Sequence, residues 1–467
     1  MKKLFGTDGM RGEAGRFPLD AATMRATGRS LASQLTALHG RAPRLVIGRD
    51  TRESGVWIER AFTEGASEVG ASCESAGVIT TPGVAYLTRT LPADAGIVIS
   101  ASHNPFEDNG IKIFAPTGRK LDDATERLIE SDIYAAVGNE QNGASNRGDE
   151  DVPSFSSGQD DEAGAPLRAA YLDYLAVEVG DGLRLDDLNV VVDCANGAAS
   201  ELAPVLLRRL GARVLAFNNT PDGRNINREC GSLHMEALQQ KVSEEGAALG
   251  VAFDGDADRA LFVDARGNLV DGDATLWVMA KQLAARGELE GHRVVATVMS
   301  NIGLELALRS EGIELLRTDV GDKYVLEELI RTGASVGGEQ SGHIIFPRLS
   351  LAGDGMITTL YVLRALVESK RQLHELTEGF MRYPQVLTNV RVREKLPFEQ
   401  VDEIARCVRA TQEKLGGQGR LLLRYSGTEP LARVMIEGQS QEEIDGLAGD
   451  LANVIRHSLG EGRIGPP

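Results

Sequence analysis

Three stretches of the chain carry the same succession of apolar and polar segments. Each opens with a short β-branched run, Arg44–Asp50, Asn189–Cys194 and Arg293–Val298, whose apolar positions are consecutive rather than alternating, as in strands covered on both faces. Behind each run comes a segment with apolar residues at helical spacing (Trp57–Val69, Glu201–Leu210, Leu304–Glu311), then a glycine and a second apolar run such as Ala212–Phe217. A further helical segment and a third strand complete each unit, and the third strands end in distinctive polar loops. Gly96–Ser100 precedes Ala101–Pro105, Leu249–Phe253 precedes Asp254–Arg259, and Ala334–Gly337 precedes Gly338–His343. Strands alternating with helices predict mostly parallel sheets with right-handed crossovers, whose ligands gather at the carboxyl ends of the strands. Three special loops at equivalent places in three repeats predict three domains facing one cleft.

From about Pro384 the texture changes to strand, helix (Phe398–Leu415), strand (Arg420–Tyr425), strand (Ala432–Gly438) and helix (Gln441–Ser458), a small α+β pattern. A polar stretch from Gly138 to Pro166, rich in Asn, Ser, Gly, Asp and Glu, predicts a flexible linker or surface excursion. The expected fold is α/β: three α/β domains with mixed, mostly parallel sheets of related topology plus a smaller C-terminal α+β domain, around a central cleft. The expected boundaries are 1–165, 166–265, 266–383 and 384–467, and 467 residues suit three or four domains.

Composition narrows the function classes. Hydrophobic residues make up 42% and charged residues 25%, with no apolar run long enough to cross a bilayer and no secretory pattern after Met1, so a cytoplasmic protein without a membrane partner is expected. A formal net charge of −18 argues against a nucleic-acid surface, and any anionic ligand must meet locally gathered positive groups. Cys73, Cys194, Cys230 and Cys407 form no metal-finger spacing and read as buried thiols.

The candidate chemistry lies in the loops. Asp254, Asp256 and Asp258 occupy alternate positions, which in an extended loop project to one side and offer hard oxygens to magnesium, a cation that often shares its shell with phosphate. An EF-hand would need Gly and Glu where Arg259 and Ala265 stand, and the bland alternative is an acidic hairpin turn. Ser102 follows an apolar strand without the Gly-x-Ser-x-Gly elbow of acyl-transfer hydrolases; beside a three-aspartate metal site it suits phosphoryl transfer, and otherwise it is a turn former. Lys112 is a candidate proton carrier or phosphate contact, or equally a solvated surface lysine.

Arg424–Pro430 combines a guanidinium, the hydroxyls of Ser426 and Thr428 and the tight turn Gly427 permits, the makings of a phosphate cradle or of a plain turn. Glu339 and Ser341, with glycines on either side, suit sugar hydroxyls, and His343 is a site residue or a satisfied structural histidine. Arg11, in the glycine-rich Gly6–Gly12, could reach a phosphate; Arg49, Asp50 and Arg52 read as an ion-pair cluster.

Taken in order, Gly-Thr-Asp-Gly-Met-Arg-Gly, Ser-Ala-Ser-His-Asn-Pro, Asp-Gly-Asp-Ala-Asp-Arg, Gly-Glu-Gln-Ser-Gly-His and Arg-Tyr-Ser-Gly-Thr-Glu-Pro resemble the motif series of the α-D-phosphohexomutases over nearly the whole chain. Gln340 between Glu339 and Ser341, with the first and last motifs, is similar to the glucosamine branch more than to the mannose or glucose branch. The resemblance implies a phosphoserine at Ser102, Mg2+ on Ser102, Asp254, Asp256 and Asp258, sugar contacts from Glu339 and Ser341, and phosphate contacts from Arg424, Ser426, Gly427 and Thr428. Arg259 would help hold the transferring group, with Lys112, His103 and His343 as candidates for proton transfer. It implies interconversion of glucosamine 6-phosphate and glucosamine 1-phosphate through a 1,6-bisphosphate, with glucosamine or glucose 1,6-bisphosphate as activator, in a monomer or homodimer. The rival readings are a mannose- or glucose-phosphate mutase of the same family, a magnesium-dependent phosphomonoester hydrolase, and a catalytically silent sugar-phosphate-binding protein.

Overall fold

A computed structural model of the chain describes residues 3–6, 8–142, 162–426 and 429–460. Two compact units emerge, Met1–Thr297 with Thr318–Thr377, and Val298–Arg317 with Glu378–Pro467.

The first unit holds two whole sheets and most of a third, of related topology. In the first, of order β1-β2-β6-β5-β3-β4, β3 (Arg44–Arg49) runs parallel to both β4 (Ser72–Val78) and β5 (Ala95–Ile99). The antiparallel β6 (Asp108–Phe114) pairs with β5 and with β2 (Gly9–Glu13), which pairs with β1 (Phe5–Gly6). In the second, β7 (Asn189–Asp193) lies parallel to β8 (Arg213–Phe217) and β9 (Leu249–Phe253), and β10 (Ala260–Asp264) pairs antiparallel with β9 and with β11 (Leu269–Val270). In the third, β12 (Arg293–Thr297) is parallel to β14 (Gly337–Gly338), which pairs antiparallel with β15 (Ile344–Ile345); β13 (Glu314–Thr318), all but its last residue in the second unit, lies between β12 and β14 in sequence. Each polar loop singled out in the sequence is therefore the turn from the last parallel strand into its antiparallel partner: β5 to β6, β9 to β10, β14 to β15.

The consecutive apolar residues have the expected cause, since every residue of β5, β9 and β10 is buried. In the first sheet Leu45, Ile47, Ile97 and Ile99 share a core with Met24, Leu31, Ile58 and Phe62 from helices α1 (Ala21–His39) and α2 (Glu53–Ser67). Val46 and Val98 point the other way and are equally buried. The third repeat is the weakest match: the strand expected over Ala334–Gly337 is reduced to two residues. Just before it, the Ser335 hydroxyl donates to Glu288 O (2.6 Å) and accepts from Glu290 N (2.9 Å). The polar stretch expected at 138–166 is helical at its ends, in Asp123–Asn142 and from Ala165 onward, and 143–161 lie outside the described residues.

In the second unit β16 (Gln385–Arg391), β18 (Leu431–Glu437) and β17 (Arg420–Tyr425) form an antiparallel sheet with β18 in the middle. Helices Asp402–Leu415 and Gln441–Leu459 pack on it through Ile404, Ile444, Leu451 and Ile455 against Val390, Val434 and Ile436. The segment from Val298 is fastened here by Asn301, whose amide donates to Tyr383 O (3.0 Å) and Glu437 Oε1 (3.2 Å) and accepts from Tyr383 N (2.9 Å).

α1 and α2 touch backbone to backbone. A Cβ added to Gly28 would run into the carbonyl oxygen of Phe62, and one on Gly65 into that of Arg25. Gly65→Ala gains about 1 kcal/mol of helix propensity, but overpacking against a backbone carbonyl costs about 1–3 kcal/mol. The variant is expected to melt at a lower temperature than the parent in a calorimetric scan; an unchanged or higher melting temperature would mean that the helices can part freely.

Candidate active site

Ser102 sits where β5 gives way to the turn toward β6, 1% exposed and in the left-handed region at φ 54°. A non-glycine residue there carries backbone strain of order 1 kcal/mol or more, tolerated only where its surroundings dictate it. Its N–H donates to Ser100 Oγ (2.9 Å), and its Oγ donates to Asp254 Oδ2 (2.5 Å). His103 Nδ1 lies 3.5 Å from the same Oγ.

Asp254, Asp256 and Asp258 lie in the hairpin between β9 and β10, whose register pairs Phe253 with Ala260. The acidic hairpin and the metal cluster, alternatives from sequence, are thus one structure. The carboxylates converge for a different reason from the one expected: the loop is not extended. Ala257 is left-handed (φ 55°) and its N–H closes a turn onto Asp254 O at 3.1 Å. One carboxylate oxygen from each aspartate lies within 4.8 Å of the others, and all three residues are buried. Asp256 Oδ2 accepts from Lys112 Nζ (2.9 Å) and Thr81 Oγ1 (2.5 Å), whereas Asp256 Oδ1 and Asp258 Oδ1 are buried and accept no hydrogen bond.

The electrostatics point the same way. Burial and the charges of Asp258 and Asp256 push the Asp254 carboxyl well above the usual carboxylate range. Burial also pushes Asp258 up, but Lys112 and His343 overcome it and hold that carboxyl well below the usual range. Buried carboxylate oxygens without a donor are costly, and a hard divalent cation would satisfy them. The donor set therefore fits a metal ion that takes oxygen ligands.

Around this triad runs a ring of alternating charges. Lys112 Nζ reaches Asp256 (2.9 Å), Asp258 (3.4 Å) and Asp8 Oδ2 (3.2 Å); Lys120 Nζ joins Asp8 Oδ1 (2.5 Å) to Asp322 Oδ2 (2.6 Å). His343 closes the ring, with Nε2 3.9 Å from Asp322 and Nδ1 3.6 Å from Asp258. Lys112 is 1% exposed, so the alternative of a solvated lysine does not hold; burial opposes its charge, but Asp256, Asp8 and Asp258 keep its pKa well above the ordinary value. For Asp8, too, burial is outweighed, by Lys112, Lys120 and Arg11, which hold it below the carboxylate range.

For His343 two influences disagree. Against burial, Asp258, Asp322 and Glu339 push its pKa up to about 9, yet Gly353 N–H donates to Nε2 at 3.2 Å, which requires a free lone pair there. A cation on Asp258 would cancel much of the carboxylate pull, so the neutral tautomer with its proton on Nδ1 fits the loaded site. Burial, followed by Arg259 and Arg11, lowers the pKa of His103.

The remaining sequence candidates divide between the two units. In the first, Arg11 pairs with Asp8 and donates to Ala101 O (3.3 Å), and Arg259 Nε stands 3.8 Å from Asp258 Oδ1. Glu339 accepts from Gly321 N (3.1 Å) and from Ser341 Oγ (3.4 Å). Ser102, His103, Lys112, the triad and His343 are therefore brought together, with Arg259 beside the triad and Arg11 beside Asp8. Arg424 and Ser426 belong to the second unit, at the end of β17, where Ser426 O accepts from Lys395 Nζ (2.6 Å) and Ser426 Oγ from Glu429 N (3.3 Å). Gly427 and Thr428 lie outside the described residues. Asp8, Lys120 and Asp322 were not singled out from sequence. Asp8 could have been, since it shares the Gly6–Gly12 motif with Arg11, but no local pattern marks the other two.

Comparison with known proteins agrees with this layout. Sequence profiles of the phosphoglucomutase/phosphomannomutase family match in order along the chain: α/β/α domain I at residues 2–138, domain II at 169–267, domain III at 271–383 and the C-terminal domain at 387–454. A phosphoglucosamine mutase of Solibacter usitatus is 48% identical over 98% of this chain and 100% of its own. One of Symbiobacterium thermophilum is 46% identical over 98% and 100%. Among solved structures, a phosphoglucomutase/phosphomannomutase family protein of Burkholderia thailandensis superposes with a TM-score of 0.77 at 24% identity, covering 98% of this chain and 97% of that one. N-acetylphosphoglucosamine mutase of Aspergillus fumigatus, in complex with GlcNAc-6P and magnesium, gives a TM-score of 0.62 at 19% identity, covering 97% and 96%. With all four family domains in sequence order and full-length relatives at nearly half identity, the chain belongs to the phosphoglucomutase/phosphomannomutase family, the α-D-phosphohexomutases.

Proposed function

We propose that this phosphohexomutase interconverts glucosamine 6-phosphate and glucosamine 1-phosphate through a phosphorylated Ser102 and a 1,6-bisphosphate. The observation that carries the chemistry is the Ser102 hydroxyl at 2.5 Å from Asp254, beside two buried carboxylate oxygens that accept no hydrogen bond. The substrate assignment leans on the relatives, named phosphoglucosamine mutases at 43–48% identity over nearly their whole length.

In this reading Ser102, Asp254, Asp256 and Asp258 hold Mg2+, the ion present in the Aspergillus fumigatus complex. When bound, the ion would neutralise charge on the phosphoryl oxygens. The remaining work falls to the chain. Phosphorylated Ser102 gives its phosphoryl group to a sugar hydroxyl: the P–Oγ bond breaks, a P–O bond to the sugar forms, and the hydroxyl proton ends on the serine oxygen or on a neighbouring base. His103, 3.5 Å from Oγ, is the imidazole within reach of that proton. Lys112 remains a cation in its carboxylate cage and suits contact with a transferring phosphoryl oxygen better than proton removal. Both ring nitrogens of His343 face protein partners, Asp258 and Gly353, so it holds Asp258 in place. Arg259 and Arg11 add positive charge, Glu339 and Ser341 meet sugar hydroxyls, and Arg424 with Ser426, Gly427 and Thr428 grips the phosphate that is not being transferred.

Three outcomes are expected. Ser102→Ala loses the phosphoryl mass increment of the intact protein and lowers turnover of glucosamine 6-phosphate by at least about a thousandfold; a variant that still turns over at the parent's rate removes Ser102 from the mechanism, and release of inorganic phosphate by the parent would mark a hydrolase. Asp256→Asn raises the Mg2+ concentration for half-maximal activity by about tenfold or more, the scale of losing even an outer-shell partner, as read from a metal titration. Arg424→Lys, which cannot bind a phosphate bidentately, raises KM for the sugar phosphate by about tenfold with a smaller change in kcat; equal KM values would place the phosphate elsewhere. A clear preference of the parent for mannose 6-phosphate would favour the family's other branches.

A further inference from the structure

The backbone of the serine loop is held by two side chains that none of the chemistry above uses. Arg52, fully buried, lays Nη2 against two carbonyl oxygens at once, Ser102 O (3.2 Å) and Asn104 O (2.6 Å). Asn227 Nδ2 donates to the same two oxygens, at 2.8 and 2.9 Å. The two donors come from separate parts of the chain: Arg52 from the turn after β3 and Asn227 from the long connection after β8. Both are themselves fixed. Arg52 is ion-paired with Asp50, which also accepts from Arg52 N (2.9 Å), and Asn227 N donates to Ala195 O (2.9 Å). Space is tight at the junction, since a Cβ added to Gly255, within the Asp254–Asp258 loop, would lie 2.5 Å from Ser102 O and 3.0 Å from Asn227 Nδ2.

We infer that Asn227 and Arg52 are positioning residues for phosphoryl transfer: by capping the carbonyls of Ser102 and Asn104 they keep the loop in its left-handed conformation with Oγ turned to the triad. Three observations lead there. Ser102 is a non-glycine residue at φ 54°, a conformation that must be imposed by its surroundings. Its carbonyl oxygen accepts two hydrogen bonds from side chains, one charge-assisted, where ordinary loop carbonyls face water or backbone. The Asn104 carbonyl oxygen accepts from the same two side chains, so the clamp fixes the loop at two points. Without it the hydroxyl has no fixed distance to Asp254, and misplacement by about 1 Å can cost about a hundredfold in rate.

The inference rests on Ser102 being the phosphoryl carrier, and the test separates the two claims. Asn227 is itself left-handed (φ 57°), so Asn227→Gly deletes the donor without straining the backbone, and Asn227→Asp keeps the shape while placing an acceptor against two carbonyls. Parent and both variants, with Ser102 phosphorylated, are mixed with glucosamine 6-phosphate and Mg2+; loss of the phosphoryl group from Ser102 is followed by quenched-flow intact mass in a single turnover, beside kcat, KM and melting temperature. The expected result is transfer slowed by about tenfold or more in both, Asp worse than Gly, with KM within about threefold of the parent and the fraction folded unchanged. Transfer within about threefold of the parent in both variants, or a loss that only tracks unfolded protein, overturns the positioning role. A parent whose Ser102 carries no phosphoryl group, or keeps it in the presence of substrate, takes down the phosphoserine reading and the clamp with it.

Discussion

Three carboxylates buried within reach of one another are the constraint to which the rest of the first unit answers. Asp254, Asp256 and Asp258 cannot all be charged in a dry site unless positive charge is brought to them. The protein supplies part of that charge itself, through Lys112 in direct contact and Arg259 nearby. It leaves two carboxylate oxygens without a donor, and these are what suit the loop to a cation. The Ser102 hydroxyl is drawn into the same cluster as a hydrogen-bond partner of the acidic site, which is the placement the proposed phosphoryl carrier requires.

The fold makes this convergence possible by repetition. Each sheet of the first unit places its third strand beside the first and then turns back into an antiparallel strand, and the turn itself is the functional loop. Equivalent turns from three sheets bring the serine, the aspartates and His343 together, while rigid strands buried on both faces hold the loop bases still. The strain at Ser102 and at Ala257 is concentrated at these turns, where neighbouring groups can enforce it. The charge ring through Asp8, Lys120 and Asp322 ties the first repeat to the third, so that the loop carrying Glu339, which accepts from Gly321 N beside Asp322, is fixed relative to the serine.

Much of this was legible in the sequence because the chemistry is packed into contiguous motifs at strand ends. The triad, Ser102 and the loop at Glu339–His343 could be named from local spacing, and the three repeats from apolar runs whose burial depends only on the strands themselves. Burial of a single residue was not legible: Lys112 reads as readily as a surface lysine until strands β5 and β6 bring it under the aspartates. Partners far apart in the chain were invisible, with Lys120 lying 112 residues from Asp8 and 202 from Asp322, and Asn227 lying 125 from Ser102. The way the aspartates converge is equally hidden, because the left-handed turn at Ala257 has no signal in a residue that seldom adopts it.

The most direct test of the central claim is an anomalous-scattering crystal structure of the protein grown with Mn2+, an oxygen-preferring substitute for Mg2+. The account predicts a single strong peak bounded by carboxylate oxygens of Asp254, Asp256 and Asp258, with an oxygen on Ser102 as a further ligand. A peak elsewhere, or an empty triad with the Ser102 side chain turned away from it, would contradict the account.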